Sequence, residues 1–430
     1  SSSAYHVVAT GDDFIIVDVS GFFESSRFKR IDFDDNAAAA SGSGDDEDSS
    51  ARVELAKFDF TADNENVTVG TFKVRQTGVN GTSDVATLYI YDGDEYIAQH
   101  TSYSEKVFTF NGGLSGLFDV SAGSTRTITV KADMSDNLST GLDIGVEIVS
   151  ADDVVTGGDV TLSGTVAGAL MRYVQVSDFG RAQITNVTPS GDTTVNPGTE
   201  GYSVWSFQIA TSNQIQRLDR IKLSQAGSIN NADIANLKLY EGGTQIGETM
   251  ASLESDNTVT FDNLDFEIGK GSNKTLELRV DVVSGSTRNF RFMIQNVYDV
   301  DIYDTSYGAY IQPDNATEAT WAVRYQGDDS GYETTVNAGT MTVSLSTDTP
   351  TGSVAQDATQ VEVARYDFRA TGEDIKVNDV YFKIDSSGNE VGTNDCGMFV
   401  GGSQIGSTAD LAADNTAVQW TFGSAWIVPA

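Results

Sequence analysis

The sequence predicts an all-β protein of tandem antiparallel β-sandwich domains, the last of them incomplete. Three observations carry the prediction. Short stretches alternate apolar and polar residues, as in KFDF (57–60), SFQI (206–209) and RYDF (365–368), so each has one buried and one wet face. Gly-rich turns separate these stretches, at 92–95, 242–243 and 401–402, and no segment keeps a long helical period. The stretches also recur at fixed intervals. Phe58 to Asp84 and Phe207 to Asp233 are both 26 residues. Phe58 to Asp133 is 75 and Phe207 to Asp281 is 74. The third copy is looser, with 29 residues from Tyr366 to Asp395. Start-to-start distances of 149 and 159 residues suit tandem domains, each with its own core, better than the short units of a solenoid.

Each copy has three blocks. The first copy holds VELAKFDF (53–60), DVATLYIYDGDEYIA (84–98) and FDVSAGSTRTITVKAD (118–133). The second holds YSVWSFQI (202–209), DIANLKLYEGGTQIG (233–247) and TFDNLDFEIGKGSNKTLELRVD (260–281). The third holds VEVARYDF (361–368), NDCGMFVGGSQIG (394–406) and WIVPA (426–430). In block two, Leu88 and Ile90 match Leu237 and Leu239, with Cys396 and Met398 in the third copy. Asp84, Asp233 and Asp395 are expected to recur at one structural position, which argues a turn role for all three. Where the third copy reaches Val428-Pro-Ala430, a glycine and a strand are expected next. The expectation is a chain that ends inside a domain, with the natural protein continuing or a partner supplying the strand.

In chain order, residues 1–50 form an N-terminal strand and an acidic flexible loop. The strand, Phe14 to Val19, either completes the first sandwich or pairs with another subunit. The loop, 34–50, reads as a linker or a cation site. The first module is expected over 51–156. The second spans 157–325, with lead-in strands at 157–180 and at RAQITNVTPSG (181–191). The third spans 326–430, and TMTVSLSTDTPTG (340–352) is its lead-in. Such a total, 430 residues, suits about three domains.

The composition excludes several classes of function. A formal net charge of −36, from 62 Asp and Glu against 26 Lys and Arg, disfavours nucleic acid and anionic membrane surfaces. No run of about 18 apolar residues occurs, so no membrane span is expected. The one cysteine, Cys396, permits no intramolecular disulfide and reads as a small hydrophobe in a strand. Histidine occurs only at His6 and His100, outside any metal or triad spacing. No phosphate-cradling loop is present. The chain is read as no enzyme, without catalytic residues. Calcium is the one cofactor expected, because it takes oxygen ligands from Asp, Asn and turn carbonyls. The candidate ligands are Asp92, Asp94 and Glu95; Asp133 and Asp136, with Asn137; Asp299, Asp301 and Asp304; and Asp328 with Asp329. None matches a Ca2+-loop spacing, and turn chemistry explains each cluster equally well. Trp205, Trp321, Trp420 and Trp426 are either packing residues or a sugar-stacking platform. Tyr298, Tyr303, Tyr307 and Tyr310 suit a contact between domains or subunits.

The order of a lead strand, D-[IV]-A-x-L-x-L-Y-[DE]-G and I-x-x-G-x-x-[KR]-T-[LI]-x-[LV] resembles tandem Ig-like β-sandwich repeats of prokaryotic cell-surface proteins, of the surface-layer and extracellular-filament type. It covers about 51–430. The resemblance implies Ig-like sandwiches, a secreted or cell-surface location, scaffolding and often calcium. The resulting expectation is a structural protein that assembles with itself into a surface layer, sheath or filament, and touches cell-wall or surface glycan. The alternatives are an adhesin or carbohydrate-binding module and a virion or phage-tail structural protein.

Overall fold

The computed structural model describes residues 14–19, 30–34, 48–100, 106–135, 138–163, 166–315, 332–384, 393–411, 416–423 and 426–430; at 14–19, 32–34, 48 and 315 only the backbone is described. Asp136, Asn137, Asp328, Asp329, His6, Trp321 and most of the acidic loop lie outside these residues. The regular structure among the described residues is strand, apart from short 3-10 turns. The buried apolar residues fall into three clusters in sequence order, spanning 31–173, 179–336 and 370–428.

In the first unit the block strands Val53–Ala62, Thr125–Met134 and Val85–Asp92 lie side by side, and Glu95–His100 closes one edge. On the other side Phe14–Val19 pairs antiparallel with Val53–Ala62, so this strand joins the first sheet, and Asp159–Leu162 lies parallel outside it. The facing sheet is built on Val67–Thr77, which pairs with Val107–Asn111, Phe118–Val120, Asp143–Ile148 and Val154–Thr156. Alternation sends Phe58, Phe60, Ile90 and Val130 from one sheet against Phe72, Val74, Phe108 and Phe110 from the other. Phe72 sits edge-on to Phe58 (5.8 Å) and Phe60 (5.4 Å).

His100 ends the edge strand, edge-on to Phe108 at 6.1 Å and Phe110 at 6.3 Å. Burial holds its pKa below the usual 6.5. A depressed histidine pKa leaves its stabilisation intact above the unfolded value and removes it as protons bind below that value. The first unit should therefore lose some stability as pH drops below about 6.5, and His100→Gln should flatten that slope in urea melts taken across the range.

The second unit repeats this plan. Its sheet runs Thr244–Met250, Ile234–Glu241, Asn273–Val282, Thr199–Ser212, Arg181–Thr188, Asp314–Asn315. The lead-in strand Arg181–Thr188 occupies the place of Phe14–Val19, and each of the two has a parallel outer neighbour. The hairpin turn Gly242-Gly243 has φ of +55° and +85°, and Gly401-Gly402 has +56° and +84°. Such primed turns need positive φ at both central residues, which is why glycine stands there.

The third unit copies the second at an offset of 159 residues. Arg181 pairs with Ser212, and Thr340 with Thr371. Tyr240 pairs with Gln245, and Phe399 with Gln404. Its sheet is nevertheless broken. Thr340–Leu345 with Tyr366–Thr371 forms one two-stranded sheet, and Thr393–Val400 with Ser403–Leu411 another. No third-block strand stands between them among the described residues.

The expected borders at 157 and 326 separate strands from the clusters on which they pack. Val166, Met171 and Tyr173 belong to the first cluster, and Val336 to the second. Alternation marks a strand but not the sheet it joins, which is decided by neighbours distant in sequence. Met171–Gln175, for instance, pairs in parallel with Arg30–Asp34.

A second correction concerns the recurring aspartates. Asp84 Oδ2 accepts Gly81 N–H (2.9 Å) and Asp233 Oδ2 accepts Asn230 N–H (3.1 Å), the same turn in two units. Asp395 does not share it. By the hairpin register Asp395 matches Asn236, and both take positive φ, +53° and +49°, at a bulge.

Candidate functional site at the junction of the first two units

The two larger units meet at a backbone seam. Ser50 and Ala51, just before the first-block strand of unit one, pair antiparallel with Ile311 and Tyr310 of unit two. The next residue, Arg52, has φ +47°. Its N–H donates to Asp133 Oδ1 at 2.7 Å. The equivalent residue of unit two is Gly201, at φ +61°, whose N–H donates to Asp281 Oδ1 at 2.7 Å. The turn is thus one that favours glycine, and unit one places an arginine in it, at a strain of about 1–2 kcal/mol.

The Arg52 side chain uses that position. Nη1 lies 3.0 Å from Asp133 Oδ2, with both groups buried. Nη2 donates to the carbonyls of Val297 (2.9 Å) and Val300 (2.8 Å) in unit two. Nε stands 3.5 Å from Asp301. Tyr89 Oη donates to Asp133 Oδ2 at 2.6 Å, so each oxygen of that carboxylate has a donor. Burial alone would lower the Arg52 pKa, but Asp133 and then Asp301 raise it above the ordinary value, which keeps the guanidinium charged. Burial and the Asp133 charge push the Tyr89 phenol up, so it stays a donor. Beside the pair, Tyr298 of unit two stacks on Tyr96 of unit one, with centroids 4.3 Å apart, and meets Tyr89 edge-on.

The proposed calcium ligands are dispersed by this arrangement. Asp92 pairs with Arg126 at 2.7 Å. Asp94 and Glu95 are exposed at a hairpin tip. Asp133 and Asp301 serve Arg52. Asp299 accepts Asn296 N–H at 2.7 Å, and burial raises its pKa against that hydrogen bond. Asp304, fully buried, accepts from the backbone of Gly180, Ser306 and Tyr307. Among the described residues no three His, Cys, Asp or Glu side chains converge as a metal would require. Burial raises the pKa of Asp262; Arg220 opposes this, while Asp94 from across the junction and Asp301 of its own unit add to it.

An open groove of about 800 Å³ runs along the outer face of the first sheet, lined in part by Glu54, Lys57, Asp92, Asp94, Arg126 and Lys131. Its charges largely satisfy one another, as Lys57 does with Glu54 at 3.1 Å. Of the four tryptophans, Trp205, Trp420 and Trp426 are buried, so they are packing residues and not a platform; Trp321 lies outside the described residues. Sequence reasoning singled out Asp133, Asp301 and Tyr298 but missed Arg52 and Tyr89. The available signal was the mismatch of Arg52 with Gly201 at one repeat position.

No family model and no curated protein matches the chain. Among solved structures, it is similar to BcpA, the major pilin subunit of Bacillus cereus, at 10% identity and a TM-score of 0.18, covering 82% of this chain and 85% of that one. A putative membrane anchored protein from Corynebacterium diphtheriae gives 10% identity and a TM-score of 0.17, covering 76% and 96%. The C-terminal domain of the Streptococcus pyogenes antigen I/II-family protein AspA gives 7% identity and a TM-score of 0.16, covering 67% and 99%. Superpositions at TM-scores this low carry no weight for fold or function. No helix among the described residues is long and apolar enough to cross a membrane.

Proposed function

We propose that the chain is a structural, extracellular protein that assembles with copies of itself into a surface layer, sheath or filament, and that no catalytic step belongs to it. The observation that carries this reading is the junction. Two units with separate cores are joined by paired strands, a buried ion pair and carbonyl contacts around Arg52. Fixing the angle between neighbouring sandwiches is useful to a spacer in a lattice, whereas a binding module on a flexible tether has no need of it. The surface adds an electrostatic condition. At a net charge of −36, copies repel one another unless salt screens them or divalent ions lie between their carboxylates. Calcium in this reading acts between molecules, and glycan of the cell wall is a second partner.

Negative-stain microscopy with millimolar calcium, and again with chelator, tests the proposal. Ordered sheets or filaments that disappear on chelation are expected. Single particles under both conditions, and also at high salt, would remove the assembly reading and favour an adhesin.

A further inference from the structure

Six N-x-S/T triplets stand in the sequence, at Asn66, Asn80, Asn137, Asn186, Asn273 and Asn315. Such a triplet is the acceptor pattern for an N-linked saccharide on a secreted chain. A chain rich in Asn, Ser and Thr produces several by chance, so the amides must be sorted by what surrounds them. Asn137 and the side chain of Asn315 lie outside the described residues. The other four fall into two pairs.

Asn80 and Asn186 are engaged within their units. Asn80 Nδ2 donates to the carbonyls of Thr77 (2.5 Å) and Asp143 (2.8 Å), so both amide hydrogens are used. Its Oδ1 accepts from Gln76 Nε2 and Lys106 Nζ, both at 2.7 Å. Asn186 lies inside the strand Arg181–Thr188, half-buried, and its Oδ1 accepts the indole N–H of the buried Trp205.

Asn66 and Asn273 are exposed, and so are Thr68 and Thr275, the hydroxyl residues of their triplets. Asn66 Oδ1 accepts Ala122 N–H at 2.9 Å, which fixes the amide by its oxygen, and Nδ2 has no partner among the described residues. The Thr68 hydroxyl is steadied by Asp119 at 2.5 Å. Asn273 makes no side-chain hydrogen bond among the described residues.

The two free amides also share a place. Ser121–Ser124 and Gly269–Ser272 are the same turn in two units, each closed by a 3.0 Å bond from the last N–H to the first carbonyl, with Gly123 and Gly271 at φ +67° and +65°. Asn66 is bonded to the first of these turns, and Asn273 is the residue after the second. They do not match each other in the repeat, since Asn66 aligns with Ile215 and Asn273 with Thr125. Copying of one triplet therefore does not account for their meeting at one corner. Ser121 and Ser124 also line the polar groove of unit one, which places hydrogen-bonding groups beside Asn66.

We propose that Asn66 and Asn273 are acceptors of N-linked saccharides, at the same corner of the first two units. Asn Nδ2 attacks the anomeric carbon of a lipid-phosphate-linked saccharide, brought by a transferase of the cell. The new C–N bond replaces the C–O bond to phosphate, the phosphate leaves with the electron pair, and the amide gives up one proton. The proposal rests on the extracellular reading and not on assembly.

The protein taken from its own cells, with surface and cytoplasmic fractions kept apart, supplies the test by mass spectrometry of its peptides. In the surface fraction, peptides holding Asn66 and Asn273 are expected to carry hexose or N-acetylhexosamine increments in most copies, and those holding Asn80 and Asn186 to keep their plain masses. Thr68→Ala should strip the saccharide from Asn66 alone, and Thr275→Ala from Asn273 alone, with circular dichroism unchanged. Either asparagine bare in the surface fraction overturns the proposal and leaves the extracellular reading standing. So does a saccharide that stays on Asn66 in Thr68→Ala, or equal modification of Asn80. Protein confined to the cytoplasm overturns both readings. Glycosylated protein that forms only single particles upholds the proposal and removes the assembly reading.

Discussion

Replacing Arg52 by methionine is expected to destabilise the joined first and second units by about 3–5 kcal/mol, the usual effect of stranding one partner of a buried ion pair. Asp133 would remain buried, with Tyr89 and one backbone N–H as its donors. The carbonyls of Val297 and Val300 would lose their shared donor. Urea unfolding monitored by tryptophan fluorescence reads the effect. Arg52→Gly should be milder than Arg52→Met by about 1 kcal/mol, because glycine relieves the positive φ. The double change Arg52→Met with Asp133→Leu should recover much of the loss, since no charge is then buried alone. If Arg52→Met unfolds like the parent, the junction is not held by this pair, and the rigidity invoked for a spacer loses its basis.

Trp205→Ala should be comparably severe for the second unit, about 3–5 kcal/mol, from the cavity it opens. Trp205 is fully buried, packs on Phe207 at 4.6 Å and pairs with Leu278 of the central strand. Its indole N–H donates to Asn186 Oδ1 at 2.8 Å, on the lead-in strand. Trp205→Phe should retain most of the packing and lose about 1–3 kcal/mol, for the amide oxygen left without its donor. The same melts in calcium and in chelator would also show whether any resident ion supports this unit. An unaltered midpoint for Trp205→Ala would contradict the core assigned to it.

The parts of this molecule that repeat were legible in its sequence. The equal intervals from Phe58 to Asp84 and from Phe207 to Asp233 reflect one strand order in two units, and strand alternation located the buried Phe58, Leu88, Phe207 and Leu239. What does not repeat was hidden. Arg52 meets the carbonyl of Val300, 248 residues later, and no local pattern encodes which surface of one sandwich faces the next. The same reason scattered the candidate calcium ligands. Asp133 and Asp301 look like turn or ligand carboxylates in isolation, and become counter-ions once an arginine arrives between them. Asp395 was misplaced by its looser spacing; the Gly401-Gly402 hairpin shows that it stands at the bulge position of Asn236.

The seam at Ser50 and Ala51 has a mechanical consequence. These residues lead directly into the first-block strand of unit one, while their pairing partners are Tyr310 and Ile311, the latter a member of the core of unit two. Tension entering through residues 48–52 is therefore divided at once between two cores. Neither sandwich can peel open from this side while the other stays whole, because the first residues to move would be the shared ones. Load entering there is carried by both units together, as in a lap joint.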